Sequence, residues 1–237
     1  MTSIEVLFEQ NQLYHVFQPI CYLNCEKKLG YEALIRSRSG INPDQLFRQA
    51  MKSKQLFDLD TQSILKAITS YFGSKADQNE RYLFVNIFPS TLASKAFPPF
   101  IDTVTERFHA YTGRIVFEIN ESVFEWTAWD DGIFFAHIRL LRERGFSIAL
   151  DDVGEGMTTL KRAIQIAPDF MKLDRFFSID LASSALKQKV VRLFAEFCQG
   201  ESSLILEGLE QEEDRQQASA LGVVIGQGYL LGKPGLL

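Results

Sequence analysis

Acidic and amide side chains follow short apolar runs at several places along this chain. Asp151 and Asp152 come directly after Ser-Ile-Ala-Leu, and Glu118 follows Ile-Val-Phe. A carboxylate in such a position is costly if it lies unpaired in a hydrophobic core. One of them alone would be interpreted as a turn or a helix cap, where Asp is common. The pattern recurs along the chain, however, and its members are Glu32, Asn86, Glu118, Asp151, Asp152, Lys172, Glu207 and Gln227.

The composition of this set indicates a metal site. Five of its members are carboxylates, which repel one another at close range unless cations neutralise them. Oxygen ligands together with one amide suit Mg²⁺ or Mn²⁺ better than zinc. Two such ions about 3.5–4 Å apart can hold the attacking and leaving oxygens of a phosphoryl transfer. The pattern therefore predicts a hydrolytic site for a phosphorylated substrate, and it does not identify that substrate.

The apolar runs that carry these residues are typical of strands. Amphipathic stretches lie between most of them, and this alternation favours a parallel sheet or barrel. Only residues 24–28 separate the first two runs, which is too short for a crossover helix, so these two should pair antiparallel. In a parallel barrel the strand ends converge on one face, where active sites are built. We therefore predict an α/β fold, a modified TIM (β/α)8 barrel with an antiparallel first strand.

The bounds of these elements can be stated from the sequence. The predicted strands are residues 16–23, 29–35, 82–88, 114–119, 147–150, 170–173, 203–206 and 223–231. The predicted helices are residues 43–51, 59–71, 132–144, 186–198 and 211–221.

Length and composition restrict the function classes. With 237 residues and 46% hydrophobic content, the chain can bury one large core or two small ones, and barrels of this size commonly form one domain. We predict a single domain over residues 1–237. The formal net charge of -5 argues against binding to nucleic-acid polymers or to anionic lipid. No apolar stretch approaches membrane-spanning length, and three cysteines without a framework favour a reducing cytoplasm.

An ordered series of motifs runs from about residue 15 to residue 234. Residues 31–36 (YEALIR) resemble the EAL-x-R signature of the EAL family, and residues 151–156 (DDVGEG) resemble its DDFGTG loop. Such short matches arise by chance one at a time, whereas a complete series in the right order does not. The remaining matches are residues 17–20 (QP segment), 86–89 (N-x-x-P), 118–122 (E-x-T-E-S), 172–175 (K-x-D), 207–210 (E-G-V-E) and 227–229 (QGY).

The resemblance implies hydrolysis of cyclic di-GMP, a bacterial second messenger, to linear pGpG with two Mg²⁺ or Mn²⁺ ions per site. The implied metal ligands are Glu32, Asn86, Glu118, Asp151, Asp152 and Glu207, with Asp151 bridging the ions. The implied catalytic residues are Lys172, Glu207 and Gln227. The implied substrate-binding residues are Gln18, Leu34, Arg36, Asp174 and Gln227, and Glu121 and Glu210 are implied supports of the loop after the fifth strand.

Two of these residues have side chains whose chemistry suggests a role. A buried lysine beside carboxylates stays charged, so Lys172 should orient the attacking water and stabilise developing charge rather than act as a base. Arg36 is suited to a bidentate phosphate contact.

The loop after the fifth strand departs from the family pattern. Val153, Glu155 and Met157 replace the usual Phe, Thr and Tyr, and Asn120 replaces a Thr. We interpret these changes as tolerated substitutions. The alternative is a mistuned loop that weakens metal occupancy or the coupling between subunits.

Three functions are compatible with the sequence. Because every implied ligand is present, we expect an active phosphodiesterase. The alternative is a catalytically silent EAL domain that binds cyclic di-GMP or a regulatory protein partner. A different two-metal phosphohydrolase on a barrel would require the motif series to be coincidental. The resemblance further implies a homodimer through helices near the fifth and sixth strands, where residues 134–135 or 176–177 could form the contact, although core packing explains these phenylalanines equally well.

Overall fold

Eight strands close a barrel in chain order in the computed structural model, which describes residues 12–25, 27–74, 81–120, 132–154 and 159–237. The strands are β1 Leu13–Tyr22, β2 Lys28–Ser37, β3 Tyr82–Ile87, β4 Ile115–Asn120, β5 Ser147–Val153, β6 Phe170–Leu173, β7 Ser203–Leu206 and β8 Ile225–Gln227. β1 runs antiparallel to both of its neighbours, β2 and β8, and the other neighbouring strands are parallel. The predicted barrel with an antiparallel first strand is confirmed.

The helices follow the strands as the alternating pattern predicts. They are α1 Pro43–Lys52, α2 Leu56–Phe72, α3 Pro89–Leu92, α4 Phe97–Phe108, α5 Gly132–Glu143, α6 Thr159–Ile166, α7 Ala185–Cys198 and α8 Glu212–Ala220, with 3₁₀ helices at His109–Arg114 and Arg175–Phe177. Among the described residues, none of these helices combines the length and apolar character that a membrane crossing requires.

Three helices, α3, α4 and α6, were not predicted from the sequence. Prolines stand in the first turns of α3 and α4, where a missing amide hydrogen costs nothing, although proline usually argues against a helix. β8 is shorter than the predicted run 223–231. The chain turns after Gln227, where the Leu231 amide donates to the Gly228 carbonyl at 3.0 Å.

The barrel interior is arranged in layers with a spacing of two residues. Each strand contributes one residue to an apolar layer inside the barrel, and these residues are Ile20, Leu29, Phe84, Val116, Ala149, Phe170, Ile205 and Ile225. The opposite faces of the strands pack against the helices in a larger apolar cluster. Because side chains two apart share a face of a strand, the next inward residue of β3–β8 lies one layer higher. These positions are Asn86, Glu118, Asp151, Lys172, Glu207 and Gln227, so the polar residues form a layer directly above the apolar one.

Candidate active site

The Lys172 ammonium lies at the centre of the polar layer. Its Nζ is 2.8 Å from Glu118 Oε1 and 2.8 Å from Glu207 Oε1, and it is 3.2 Å from both Glu32 Oε2 and Asp151 Oδ1. The side chain is 1% exposed, which makes it one of the largest fully buried side chains in the described part of the protein. The Lys172 ammonium therefore contacts carboxylates from β2, β4 and β5 and one that directly follows β7.

Two amide side chains complete this part of the layer. Asn86 Nδ2 donates to Glu32 Oε1 at 3.2 Å and to Glu118 Oε2 at 3.4 Å. Gln227 Nε2 donates to Glu32 Oε2 at 2.7 Å. Glu32 thus accepts hydrogen bonds from β3, β6 and β8, and these contacts fix its carboxylate in the middle of the site.

A β-bulge at the end of β5 adds a second carboxylate from the same strand. The pairing of β5 with β6 shifts register between Leu150 and Val153. Asp152 has a φ of +52°, in the left-handed region that Asp tolerates better than most residues. Consecutive residues of a regular strand point to opposite faces, and the bulge removes that constraint. As a result, oxygen atoms of Asp151, Asp152 and Glu207 lie within 4.8 Å of one another.

The charges in this cluster are strongly unbalanced. Burial, followed by the neighbouring carboxylates, raises the pKa of Glu207 to about 8 despite Lys172, and it raises the pKa of Glu118 and Asp151 above their usual values. Burial also acts to raise the pKa of Glu32, but Lys172 and hydrogen bonds from Gln227 and Asn86 outweigh it and hold this pKa low. Burial acts to lower the pKa of Lys172, and the surrounding carboxylates overcome it and raise this pKa well above its usual value.

These residues fit a pair of divalent cations. Glu118 Oε1 and Asp151 Oδ1 are buried and have no partner with hydrogen-bond geometry among the described residues, so their contact with Lys172 is one of charge. Ionised, the five carboxylates carry five negative charges against the single positive charge of Lys172. The excess of four negative charges equals the charge of two divalent cations, and the donor atoms are the oxygens that Mg²⁺ and Mn²⁺ prefer.

The predicted substrate-binding residues lie around this layer. Gln18 pairs with Glu32 across β1 and β2, and its Nε2 donates to the Gly232 carbonyl at 3.3 Å. Leu34 and Arg36 are half-buried near the end of β2, and Arg36 Nη1 donates to the Ile35 carbonyl at 2.8 Å. Asp174 is buried directly after β6, where its Oδ1 accepts from the Phe176 amide at 2.9 Å.

Of the two predicted loop supports, Glu121 and Glu210, only Glu210 is among the described residues. Glu210 is exposed, and its carboxylate is 4.0 Å from the guanidinium of Arg175, in the 3₁₀ helix after β6. Glu121 lies outside the described residues, as do Glu155 and Met157 of the divergent loop. Val153 is fully buried and belongs to the large core cluster.

Two contacts near the bulge were not anticipated from the sequence. Asn120 Nδ2 donates to Asp152 Oδ2 in a short hydrogen bond, so the residue that departs from the family pattern contacts a candidate ligand. The Phe177 ring packs directly over Gly154. The position of Asn120 at the end of β4 beside Asp151 would have indicated the first contact, whereas the second depends on tertiary packing and has no signal in the sequence.

Comparison with known proteins agrees with this architecture. The model of the EAL domain family matches residues 1–234. The chain is 30% identical over 240 residues to the probable cyclic di-GMP phosphodiesterase PdeI of Escherichia coli (strain K12). That alignment covers 98% of the chain and 30% of PdeI, so the chain spans about three tenths of the length of this relative.

Solved structures share the fold at low sequence identity. The EAL enzyme Bd1971, bound to cAMP and cyclic di-GMP, superposes with a TM-score of 0.85 at 24% identity, covering 98% of this chain and 64% of Bd1971. BlrP1 of Klebsiella pneumoniae, in a complex with manganese and cyclic di-GMP at pH 9.0, gives a TM-score of 0.83 at 23% identity, covering 94% of this chain and 56% of BlrP1. The barrel with its antiparallel first strand is therefore shared with these proteins.

Proposed function

The chain belongs to the EAL domain family, and on that premise we propose that it hydrolyses cyclic di-GMP to linear pGpG with two divalent cations, Mg²⁺ or Mn²⁺, per site. The observation that carries the proposal is a cluster of five carboxylates, four of which contact Lys172, with buried oxygens that have no hydrogen-bond partner in the described part of the chain. Such a cluster is costly to fold unless cations bind it, so a metal-dependent activity explains why it is present.

Each residue of the polar layer has a proposed role in this reaction. The cations, when bound, supply Lewis-acid stabilisation of charge on the phosphodiester and make a water molecule easier to deprotonate. The residues that would hold them are Glu32, Asn86, Glu118, Asp151, Asp152 and Glu207. Gln227 orients the water through the amide that it also presents to Glu32.

The surroundings of Lys172 favour the role of a hydrogen-bond donor. Its ammonium contacts four carboxylates, which raise its pKa well above the usual value. A lysine held in the charged form has no free electron pair and cannot accept a proton. Lys172 therefore donates to the attacking oxygen and stabilises the charge that develops there.

The residues around the rim of the site would bind the dinucleotide. Arg36 carries a guanidinium that can hold a phosphate through two hydrogen bonds, and it is half-buried near the open end of β2. Gln18 and Leu34 lie on the neighbouring strands β1 and β2, and Asp174 follows β6 on another part of the barrel. Together with Arg36 they extend the polar layer into a surface that can accommodate the rest of the substrate.

A direct assay tests the proposal. The purified chain is incubated with cyclic di-GMP and Mn²⁺ or Mg²⁺, and the products are separated by chromatography. We expect linear pGpG, and we expect its formation to stop when EDTA removes the metal. Binding of cyclic di-GMP without hydrolysis, in the presence of either Mn²⁺ or Mg²⁺, would overturn the enzymatic proposal. It would favour a silent binding module instead.

We further propose that two copies of the chain associate through α6, the 3₁₀ helix Arg175–Phe177 and α7. Large apolar side chains are exposed across these neighbouring elements, and they are Leu160, Ile164, Phe176, Ile179, Leu186, Leu193 and Phe197. Light scattering after size exclusion should give twice the mass of the chain, and Phe176→Asp should convert it to a monomer. A monomeric wild-type protein at micromolar concentration would contradict this proposal.

Two further expectations stay predictions. Cys21, Cys25 and Cys198 are free thiols in the structure, as expected for a protein of the reducing cytoplasm. A regulatory protein partner is also proposed, and affinity capture with purified candidates would test it.

A further inference from the structure

The backbone at the end of β5 departs from regular strand geometry. Asp152 has a φ of +52° and Gly154 has a φ of +107°, so two residues within three are left-handed. A left-handed residue that carries a Cβ is intrinsically unfavourable and persists when its surroundings hold it. This conformation brings the Asp151 and Asp152 carboxylates to the same side as Glu207.

The ring of Phe177 is one of the contacts that hold this segment. A Cβ built on Gly154 would lie 2.4 Å from Phe177 Cε2 and 2.9 Å from Phe177 Cζ, so the ring occupies the space above the Gly154 backbone. At this distance only a glycine can fit beneath the ring. The ring in turn covers the backbone directly after the bulge and limits how far the segment can relax.

Phe177 is itself anchored to the strand ends of the site. The Asp174 amide donates to the Val153 carbonyl at 3.2 Å, which ties the start of the turn after β6 to the end of β5. The Phe177 amide donates to the Asp174 carbonyl at 3.0 Å, and the ring makes an edge contact with Phe176. The 3₁₀ helix Arg175–Phe177 therefore connects β6, which carries Lys172, to the bulge that carries the two aspartates.

We propose that Phe177 is a positioning residue for the metal site, because its ring holds Gly154 and thereby keeps the left-handed Asp152 and its carboxylate in the ligand arrangement. The effect of Phe177 reaches the site through the backbone of residues 152–154 and requires no contact with the cations or the substrate. The inference rests on the proposed metal-dependent function.

Calorimetric titration with Mn²⁺, without any substrate, separates this inference from the proposed activity. We expect Phe177→Ala to weaken Mn²⁺ binding by about 10- to 100-fold, the range found when a partner that orients a metal ligand is removed. Phe177→Met, which refills most of the space with an unbranched side chain, should recover part of the affinity. In the activity assay Phe177→Ala should approach the wild-type kcat at saturating Mn²⁺, because the ring positions a ligand and takes no part in the reaction.

Two matched controls separate the positioning effect from lost stability and from changed self-association. Phe108→Ala removes a ring of the same size from the core at the end of α4, so it reports the effect of lost stability alone. Leu193→Ala removes an exposed apolar side chain from the same proposed self-association surface, so it reports any effect of changed self-association. Neither variant should change the affinity for Mn²⁺.

A double-mutant cycle tests the contact itself. Gly154→Ala should weaken Mn²⁺ binding strongly in the wild-type background, where the new methyl group meets the Phe177 ring, and less in the Phe177→Ala background. Equal Mn²⁺ affinity of wild type and Phe177→Ala, or failure of wild type to bind Mn²⁺, would overturn the inference. A wild type that binds Mn²⁺ but does not hydrolyse cyclic di-GMP would overturn the proposed activity and leave this inference supported or rejected on the binding data alone.

Discussion

The two halves of the proposed metal site are built by different means. One half, the regular half, consists of Glu32, Asn86, Glu118, Lys172 and Gln227, which project inward from positions where the pairing with a neighbouring strand is regular. The other, the bulged half, consists of Asp151, Asp152 and Glu207. Its aspartates lie at a register shift with a left-handed residue, and Glu207 comes directly after the end of β7.

The two halves also differ in the contacts that support them. Members of the regular half bond to one another, and ladders of strand hydrogen bonds fix their backbones. The bulged half depends on contacts from outside it, from Asn120 and from the turn after β6. Regular secondary structure thus supplies a rigid base, and the irregular backbone adds one more carboxylate for the two proposed cations.

The largest effect is expected at Glu32, which lies in the middle of the regular half. Glu32→Ala should abolish formation of pGpG, because Glu32 contacts Lys172, Asn86 and Gln227 at once and no neighbouring oxygen can replace it. Turnover is measured at saturating cyclic di-GMP and Mn²⁺, and circular dichroism checks that the fold is intact. Glu106→Ala, which removes an exposed glutamate from α4, is the matched control and should behave as wild type. Retained activity in Glu32→Ala would remove Glu32 from the site.

A smaller effect is expected from removing Lys172, whose ammonium lies at the centre of the polar layer. Lys172→Ala should lower kcat by about 100-fold, the loss typical of removing one donor that stabilises developing charge. Mn²⁺ affinity should stay the same or rise, because removing the ammonium leaves more negative charge for the metal. Without metal, the variant should also melt below wild type, since four buried carboxylates lose their shared partner, and Mn²⁺ should restore much of the difference. An unchanged kcat would contradict a role at the attacking water.

The layers of the barrel explain what the sequence could reveal. Most of the polar layer is predictable because an apolar residue and a polar residue recur two positions apart, as in Phe84 and Asn86 or Ala149 and Asp151. The short link between the first two strands likewise predicts their antiparallel pairing. Residues 151–156, which include the bulge, are recognised as a motif only through their resemblance to the EAL family. The geometry of the bulge could not be predicted, because the contact of Phe177 with Gly154 joins separate strand ends and has no signal in the sequence.

The helices that escaped prediction have a comparable cause. α4 begins Phe-Pro-Pro, and prolines in a first turn resemble a loop until the buried positions Phe97, Ile101, Val104 and Phe108 are seen on one face. Local propensity and tertiary packing disagree there, and packing determines the outcome.

The bulged half should tolerate a change better when the backbone conformation is kept. Asp152→Asn removes the charge but retains a side chain that adopts the left-handed region readily, so we expect activity to fall about tenfold. Asp152→Ala should lose further activity and about 1 kcal/mol of stability, because alanine resists this conformation. Chemical denaturation and Mn²⁺-dependent kinetics distinguish the two variants. Equal stability of Asp152→Asn and Asp152→Ala would show that the left-handed backbone costs nothing here.

The smallest effect is expected outside both halves, at Glu210. Its contact with Arg175 spans 4.0 Å between side chains that are 49% and 64% exposed. An exposed ion pair contributes about 0–1 kcal/mol, so Glu210→Ala should change activity by at most about fivefold. Because Arg175 belongs to the same 3₁₀ helix as Phe177, any loss should appear as weaker Mn²⁺ binding with little change in kcat. Glu210→Gln keeps the length of the side chain and serves as the control for charge alone. A fall approaching that of Lys172→Ala would instead make Glu210 an essential support of the bulged half, which would then depend on surface charge as well as on the packing of Phe177.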